Sequence, residues 1–321
     1  MTTLVTGVAG FIGSNLARKF ISDGERVLGI DNLCRGNLAN IADLLGNPLF
    51  SFQEINLCNL NAYTEVILQE QANGSIDEVW HMAANSDIPA GISDANIDLR
   101  DTFMTTFNTL EVMKKFDIKF IAFASSSAVY GDLGEQVLVE NIGPLFPISN
   151  YGAMKLASEA LISASVEGFL GGAYIFRFPN VIGVPATHGV ILDFIRKLKG
   201  SRKSLEVLGD GTQQKSYLHV EELIDAMQFI RHHANEKCNY FNIGPSDVGV
   251  MVRSIAEKVR EVVAPSASII YGYGNKGWVG DVPKFSYSIE KLKNLGWTPK
   301  LNSSQAISKA VLEIYKQEGG F

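Results

Sequence analysis

Thr3-Leu4-Val5-Thr6-Gly7-Val8-Ala9-Gly10-Phe11-Ile12-Gly13-Ser14 is the stretch that decides the fold. A short β-favouring run, Thr3–Thr6, passes directly into glycines spaced Gly-x-x-Gly-x-x-Gly, and a helical apolar pattern follows from Phe11 to Ile21. Glycines at a strand-to-helix turn let backbone approach a pyrophosphate closely. The helix behind them offers free N–H groups and the positive end of its dipole. Gly7, Gly10, Phe11, Ile12 and Gly13 are therefore candidate dinucleotide contacts. The next β run, Arg26–Ile30, leads to Asp31, eighteen residues past Gly13. A carboxylate there accepts hydrogen bonds from the adenosine ribose hydroxyls and repels a 2′-phosphate, so NAD is favoured over NADP. Arg35 is close enough in sequence to soften that preference without reversing it.

Outward from this turn, short apolar runs alternate with longer helical patterns. The runs are Leu49–Ile55, Glu78–Met82, Lys119–Ala124 and Ala173–Phe178, with helix-like stretches near 11–23, 61–72, 98–116 and 150–167. Buried strands separated by helices imply βαβ units and a doubly wound parallel sheet. After about residue 178 Gly, Pro and polar clusters become frequent, although helices are expected near 190–199, 219–233, 250–263 and 303–317. The division expected is 1–178 and 179–321, the second part smaller and α+β, with a segment near 216–245 free to return to the first sheet through Cys238–Ile243.

Tyr151-Gly152-Ala153-Met154-Lys155 opens the 150–167 helix. Positions i and i+4 share a face, so hydroxyl and ammonium address one site. Ser125-Ser126-Ser127 ends the Lys119–Ala124 run, at the carboxyl end of a strand, where ligands sit in such sheets. A Tyr of ordinary pKa needs about three units, or about 4 kcal/mol, to be half ionised at pH 7. A Lys charge about 6 Å away supplies roughly 3 kcal/mol at an effective dielectric of about 20. Tyr151 is then a candidate base for a substrate hydroxyl that loses hydride from the same carbon, with Lys155 and a serine beside it.

Composition narrows the class. Twenty-eight Lys and Arg against 34 Asp and Glu give a net charge of −6, which argues against a nucleic-acid binder. Cys34, Cys58 and Cys238 show no paired spacing, so neither a disulfide framework nor a metal site is expected. No apolar run is long enough to span a membrane, and the first residues lack a signal-peptide pattern; a soluble cytoplasmic protein is expected.

Taken together, these motifs resemble the extended short-chain dehydrogenase/reductase family, in its nucleotide-sugar epimerase and dehydratase branch. Thr6–Ser14, Asp31-Asn32-Leu33, His81-Met82-Ala83-Ala84, Val129-Tyr130-Gly131, Tyr151 with Lys155, and Arg177-Phe178-Pro179-Asn180-Val181-Ile182-Gly183 carry the likeness across nearly the whole chain. The resemblance implies a Rossmann-like domain, NAD as cofactor, and Ser126, Tyr151 and Lys155 as catalytic residues. It adds Asn32, Asn56, Leu57, Met82, Ala83, Ala84, Ser125, Phe178 and Val181 on the cofactor side. On the sugar-nucleotide side it implies Ser86, Ser126, Asn180, Val190, Val207, Lys215, Lys276 and Asp281. The 4,6-dehydratases of the branch carry an Asp-Glu pair where this chain has Ser127-Ala128, and the decarboxylases a Glu at position 128. The serine run is similar to that of the 4-epimerases, so a 4-epimerase of the UDP-glucose/UDP-galactose type is implied; the alternatives are another nucleotide-sugar enzyme of the branch (a reductase, decarboxylase or other epimerase) or a non-catalytic NAD-binding regulatory protein. The family also implies a homodimer through the helices near 98–116 and 150–167. Departures are Asn56 for an Asp, Thr102 for an Asn, and Lys215 and Lys276 for diphosphate-binding arginines. Lys neutralises phosphate without the bidentate fork of Arg.

Overall fold

The computed structural model describes residues 2–72, 74–134, 136–274 and 286–320. Five strands come first: β1 (Thr2–Thr6), β2 (Arg26–Asp31), β3 (Phe50–Glu54), β4 (Glu78–His81) and β5 (Phe120–Ala124). Gly172–Arg177 and Cys238–Asn242 complete a seven-stranded sheet. Its order runs 238–242, 172–177, β5, β4, β1, β2, β3. β1 pairs in parallel with β2 on one side and with β4 on the other. The chain first builds outward through β2 and β3, then returns to place β4 and β5 on the opposite flank. The order therefore reverses at β1, and the crevice over its carboxyl end is the topological switch point of a Rossmann-like fold. β1 and β4 are buried along their whole length, as strands covered on both faces must be.

The covering helices are α1 (Phe11–Ser22), α2 (Leu60–Gln71), α3 (Ile88–Ser93), α4 (Ala95–Asp98), α5 (Thr105–Lys115) and α6 (Asn150–Gly168). Leu4, Leu28, Val79, Ile121, Phe123 and Ile175 from the strands pack with Tyr63, Ile67, Leu110, Met113 and Ile162 from the helices. The pattern expected to give one helix over 98–116 is instead interrupted by a π-helical turn, Leu99–Met104. Thr105 and Thr106 donate hydroxyls to the Thr102 carbonyl at 3.0 Å each, which competes with the regular ladder and widens the turn.

Two compact units divide the described chain. The first contains the residues up to Gly131, Leu145–Arg177 and Met227–Phe241. The second contains Asp132–Pro144, Phe178–Ala226 and the chain from Asn242 onward. Further helices are α7 (Val190–Gly200), α8 (Val220–His233), α9 (Val252–Val263), α10 (Glu290–Leu295) and α11 (Ser303–Gln317). Within the second unit, Ile191, Ile195 and Leu198 of α7 pack with Ile255 and Val259 of α9 and with Ile307, Val311 and Ile314 of α11. The parallel pair Ser204–Val207 and Ser268–Tyr271 contributes Leu205 and Val207 to the same core.

Candidate active site

The glycine turn is shaped by close approach. Gly7 has φ +68°, and a Cβ there would lie 2.8 Å from the Ala83 nitrogen. A Cβ on Gly13 would lie 2.2 Å from the Gly7 oxygen. The turn, the first residues of α1 and Met82-Ala83-Ala84 after β4 are thus pressed together at the switch point. α1 has no side-chain cap, so its first N–H groups, at Phe11, Ile12 and Gly13, are oriented for an anion. Asp31 ends β2 buried; its Oδ2 accepts from the Ala9 N–H at 3.0 Å and its Oδ1 from the Leu33 N–H at 2.8 Å. Burial raises its pKa, while those backbone donors pull it down. Each carboxylate oxygen retains a second lone pair for a ribose hydroxyl. A glycine cradle, an uncapped helix N-terminus and a fixed acceptor after β2 match the chemistry of a dinucleotide.

Other cofactor-side residues fall unequally. Asn32 and Asn56 turn their side chains onto the N–H groups of Cys34 and Cys58, at 3.1 and 2.9 Å, and Asn56 is exposed. Leu57 buries its side chain in the core of the first unit. Ser125 is also turned inward: its hydroxyl donates to Glu159. Met82, Ala83 and Ala84 are half-buried, and Ser86 is exposed.

Below the turn lies His81, fully buried. Its Nδ1 meets the Thr6 hydroxyl at 2.8 Å and its Nε2 the Thr106 hydroxyl at 3.2 Å. Burial, followed by the Lys155 charge, pushes its pKa down to about 3. This is a packed, hydrogen-bonded histidine that stays neutral. The unfolded chain binds one more proton than the folded chain between about pH 6.5 and 3, so stability declines as pH falls through that window. The His81 share of the loss is about 1.4 kcal/mol per pH unit. Urea unfolding of wild type and His81→Asn between pH 7 and 4 should therefore show a shallower acid slope in the variant. Equal slopes would refute the neutral buried assignment.

The candidate catalytic pair, Tyr151 and Lys155, is set by α6. Ser149 caps it, accepting from the Gly152 N–H at 3.1 Å. Gly152 lets the first turn press against the short 3-10 helix Ser127–Tyr130; a Cβ there would lie 2.4 Å from the Ala128 oxygen. Ser126 caps that short helix through the Ala128 N–H at 3.1 Å. The Ser126 side chain neighbours the Tyr151 phenol. Lys155, buried, donates to the Ala124 carbonyl at 2.5 Å and stands 5.8 Å from the Tyr151 ring centroid. Sequence reasoning expected Lys155 to pull the Tyr151 pKa down. In the protein alone burial wins: Tyr151 is pushed up to about 12, with the Ser126 hydrogen bond opposing. Lys155 is itself pushed down to about 7 by burial, with Glu159 and Asp98 holding it up.

Those two carboxylates were missed from sequence. Glu159 continues the face of Tyr151 and Lys155 by one more turn. It receives Arg177 through Nε at 3.0 Å and Nη2 at 2.6 Å, while Arg177 Nη1 donates to the Tyr130 hydroxyl at 3.0 Å. The i+4 spacing after Lys155 was the available signal. Asp98 is completely buried; Oδ1 accepts from Asn85 Nδ2 at 2.8 Å, and Oδ2 has no hydrogen-bond partner. Gly91 makes room for it, since a Cβ there would lie 1.8 Å from Oδ2. Nothing in the sequence separates Asp98 from Asp94 or Asp101.

In the second unit, Phe178 and Val207 are buried, Val181, Val190 and Lys215 half-buried, and Asn180 exposed at the start of the strand Asn180–Ile182. Val207 contributes its side chain to that unit's core. Lys276 and Asp281 lie outside the described residues. Among the described residues no group of His, Cys, Asp and Glu is arranged to hold a metal ion, and no helix is long and apolar enough to cross a membrane.

Comparison with known proteins agrees with this geometry. The profile of the NAD dependent epimerase/dehydratase family matches residues 3–244. A UDP-glucose 4-epimerase of Lacticaseibacillus casei is 28% identical over 327 residues, covering 96% of this chain and 94% of the relative. A dTDP-glucose 4,6-dehydratase of Haemophilus influenzae is also 28% identical, over 333 residues and 97% of each chain. A crystal structure of a UDP-galactose 4-epimerase superposes with a TM-score of 0.84, at 31% identity and over 99% of each chain. The chain belongs to the NAD dependent epimerase/dehydratase family, whose cofactor is NAD.

Proposed function

We propose that this chain is an NAD-dependent nucleotide-sugar 4-epimerase of the UDP-glucose/UDP-galactose type. Overall identity does not separate the family's reactions, because an epimerase and a dehydratase match equally well. The observation that carries the assignment is the pair after Ser126. Ser127 and Ala128 supply a hydroxyl and a methyl where water elimination needs a carboxylic acid to protonate the leaving hydroxyl. Glu159 offers no substitute, being taken by Arg177 and Ser125.

The residues present suit a reversible oxidation. Tyr151 Oη, beside Ser126, holds the position from which a base takes the proton of the sugar's 4-hydroxyl. Ser126 orients that hydroxyl. Lys155 Nζ lies 5.8 Å from the Tyr151 ring centroid, and in its charged form it favours the phenolate. Bound NAD supplies a hydride acceptor and, in its oxidised form, a positive charge that favours the phenolate. The 4-keto sugar then presents its other face, and Tyr151 returns the proton it holds. Asn180 and Lys215 are our candidates for holding the sugar and the diphosphate.

The same hydride and no net redox imply that carbon-bound hydrogen never exchanges with solvent. Incubation with UDP-glucose in D2O should give a C4 epimer of unchanged mass by mass spectrometry. One deuterium on carbon, as elimination across C5 and C6 would leave, would contradict the assignment.

A further inference from the structure

β2 and β4 flank β1 on its two sides, so the loops that follow them form opposite walls over the glycine turn. Arg35 stands on the first wall and Asp87 on the second, and they are joined across it, Nη1 to Oδ2, at 2.9 Å. The Asp87 end is fixed. Its Oδ1 caps α3 through the Ala90 N–H at 3.0 Å, its own N–H donates to Asn85 Oδ1 at 2.9 Å, and its carbonyl accepts from Asn85 Nδ2 at 2.9 Å. The Arg35 end belongs to the loop that encircles the Asp31 carboxylate. Leu33 donates its N–H to Asp31 from a left-handed conformation, φ +56°. Gly36 lies so close that a Cβ there would be 2.9 Å from both Asp31 oxygens. Arg35 thus precedes the glycine that packs on the carboxylate placed for the adenosine ribose hydroxyls. An uncommitted guanidinium in that place is the group best built to take a 2′-phosphate.

We propose that Asp87 is a cofactor-specificity residue: by holding Arg35 across the crevice it withholds the cation that NADP would need, and so reinforces the choice of NAD made by Asp31. The pair is half-exposed, with side chains 46% and 33% accessible, so its contribution to stability is small and its consequence is the direction in which Arg35 points. The inference rests on the crevice taking a dinucleotide and is independent of which sugar is converted.

The test equilibrates the full-length protein with equimolar NAD and NADP, removes free nucleotide, denatures the protein and quantifies the released nucleotides by chromatography. The proteins are wild type, Asp87→Asn, Arg35→Ala and the double variant. Asn preserves the cap on α3. The bound NADP-to-NAD ratio should rise about tenfold in Asp87→Asn, the effect of one charge-assisted contact worth about 1.4 kcal/mol. It should return to within about twofold of wild type in the double variant and stay unraised in Arg35→Ala. An unchanged ratio in Asp87→Asn would overturn the proposal. So would a gain that survives in the double variant, because loss of a negative charge alone would then explain it. Wild type retaining neither nucleotide would instead overturn the assignment of the crevice, and this inference with it.

Discussion

Tyr151→Phe is expected to lower turnover of the nucleotide sugar by about 10³-fold, within the range of about 10²–10⁴ typical for loss of a positioned acid–base group. Its content of bound NAD and its thermal midpoint stay close to those of the wild type. Phe keeps the ring that lies 5.8 Å from the Lys155 ammonium and loses only the hydroxyl beside Ser126. Losing even one hydrogen bond at that hydroxyl costs only about 1 kcal/mol, so folding survives. Steady-state kinetics, nucleotide quantification and a melting curve together check this. Unchanged turnover would remove Tyr151 as the base. Lost NAD or a collapsed fold would show that the side chain serves structure first.

Glu159→Gln is expected to destabilise the fold by about 3–5 kcal/mol, because it leaves the buried Arg177 guanidinium without its carboxylate. Chemical denaturation measures that loss. The same substitution has a second effect that a purely structural role would not produce. Glu159 is the first of the two charges that hold the Lys155 pKa up at about 7 against burial. Without it Lys155 gives up its proton at lower pH, so the alkaline limb of the pH–rate profile moves toward acid. In Glu159→Gln/Arg177→Met the unpaired buried charge is gone, so stability recovers in part while the shifted limb remains. Full recovery of both would place the effect in Arg177 alone.

The fold, and the placing of Tyr151 and Lys155 on one face, were legible because they are written in local spacing. Gly7, Gly10 and Gly13 follow a strand and open a helix. Asp31 ends the next strand, and Tyr151 and Lys155 are one turn apart. Each signal lies within about twenty residues, the distance over which strand and helix periods hold phase. The missed features all depend on long-range packing. Asp98 is buried only because Gly91 folds against it and Asn85 reaches it from the loop after β4. Arg177 finds Glu159 only once its strand lies beside α6, and Arg35 finds Asp87 only across β1. The break at Leu99–Met104 escaped because threonines carry an ordinary helical pattern while their hydroxyls compete for the backbone. Leu57, Ser125 and Val207 sit in stretches that match the family, yet their side chains turn into the interior. A motif fixes the backbone path more firmly than the direction of each side chain along it.

The most direct test of the proposed reaction is a proton NMR time course of the purified protein with UDP-galactose and no added NAD. It is repeated with UDP-glucose, their N-acetyl forms, UDP-glucuronate and CDP- and GDP-linked sugars. Approach to the same mixture of C4 epimers from either member of one pair, with no NADH absorbance building up at 340 nm, is the predicted result. Net NADH formation, carbon dioxide release, or a 4-keto-6-deoxy product in place of the epimer would contradict it.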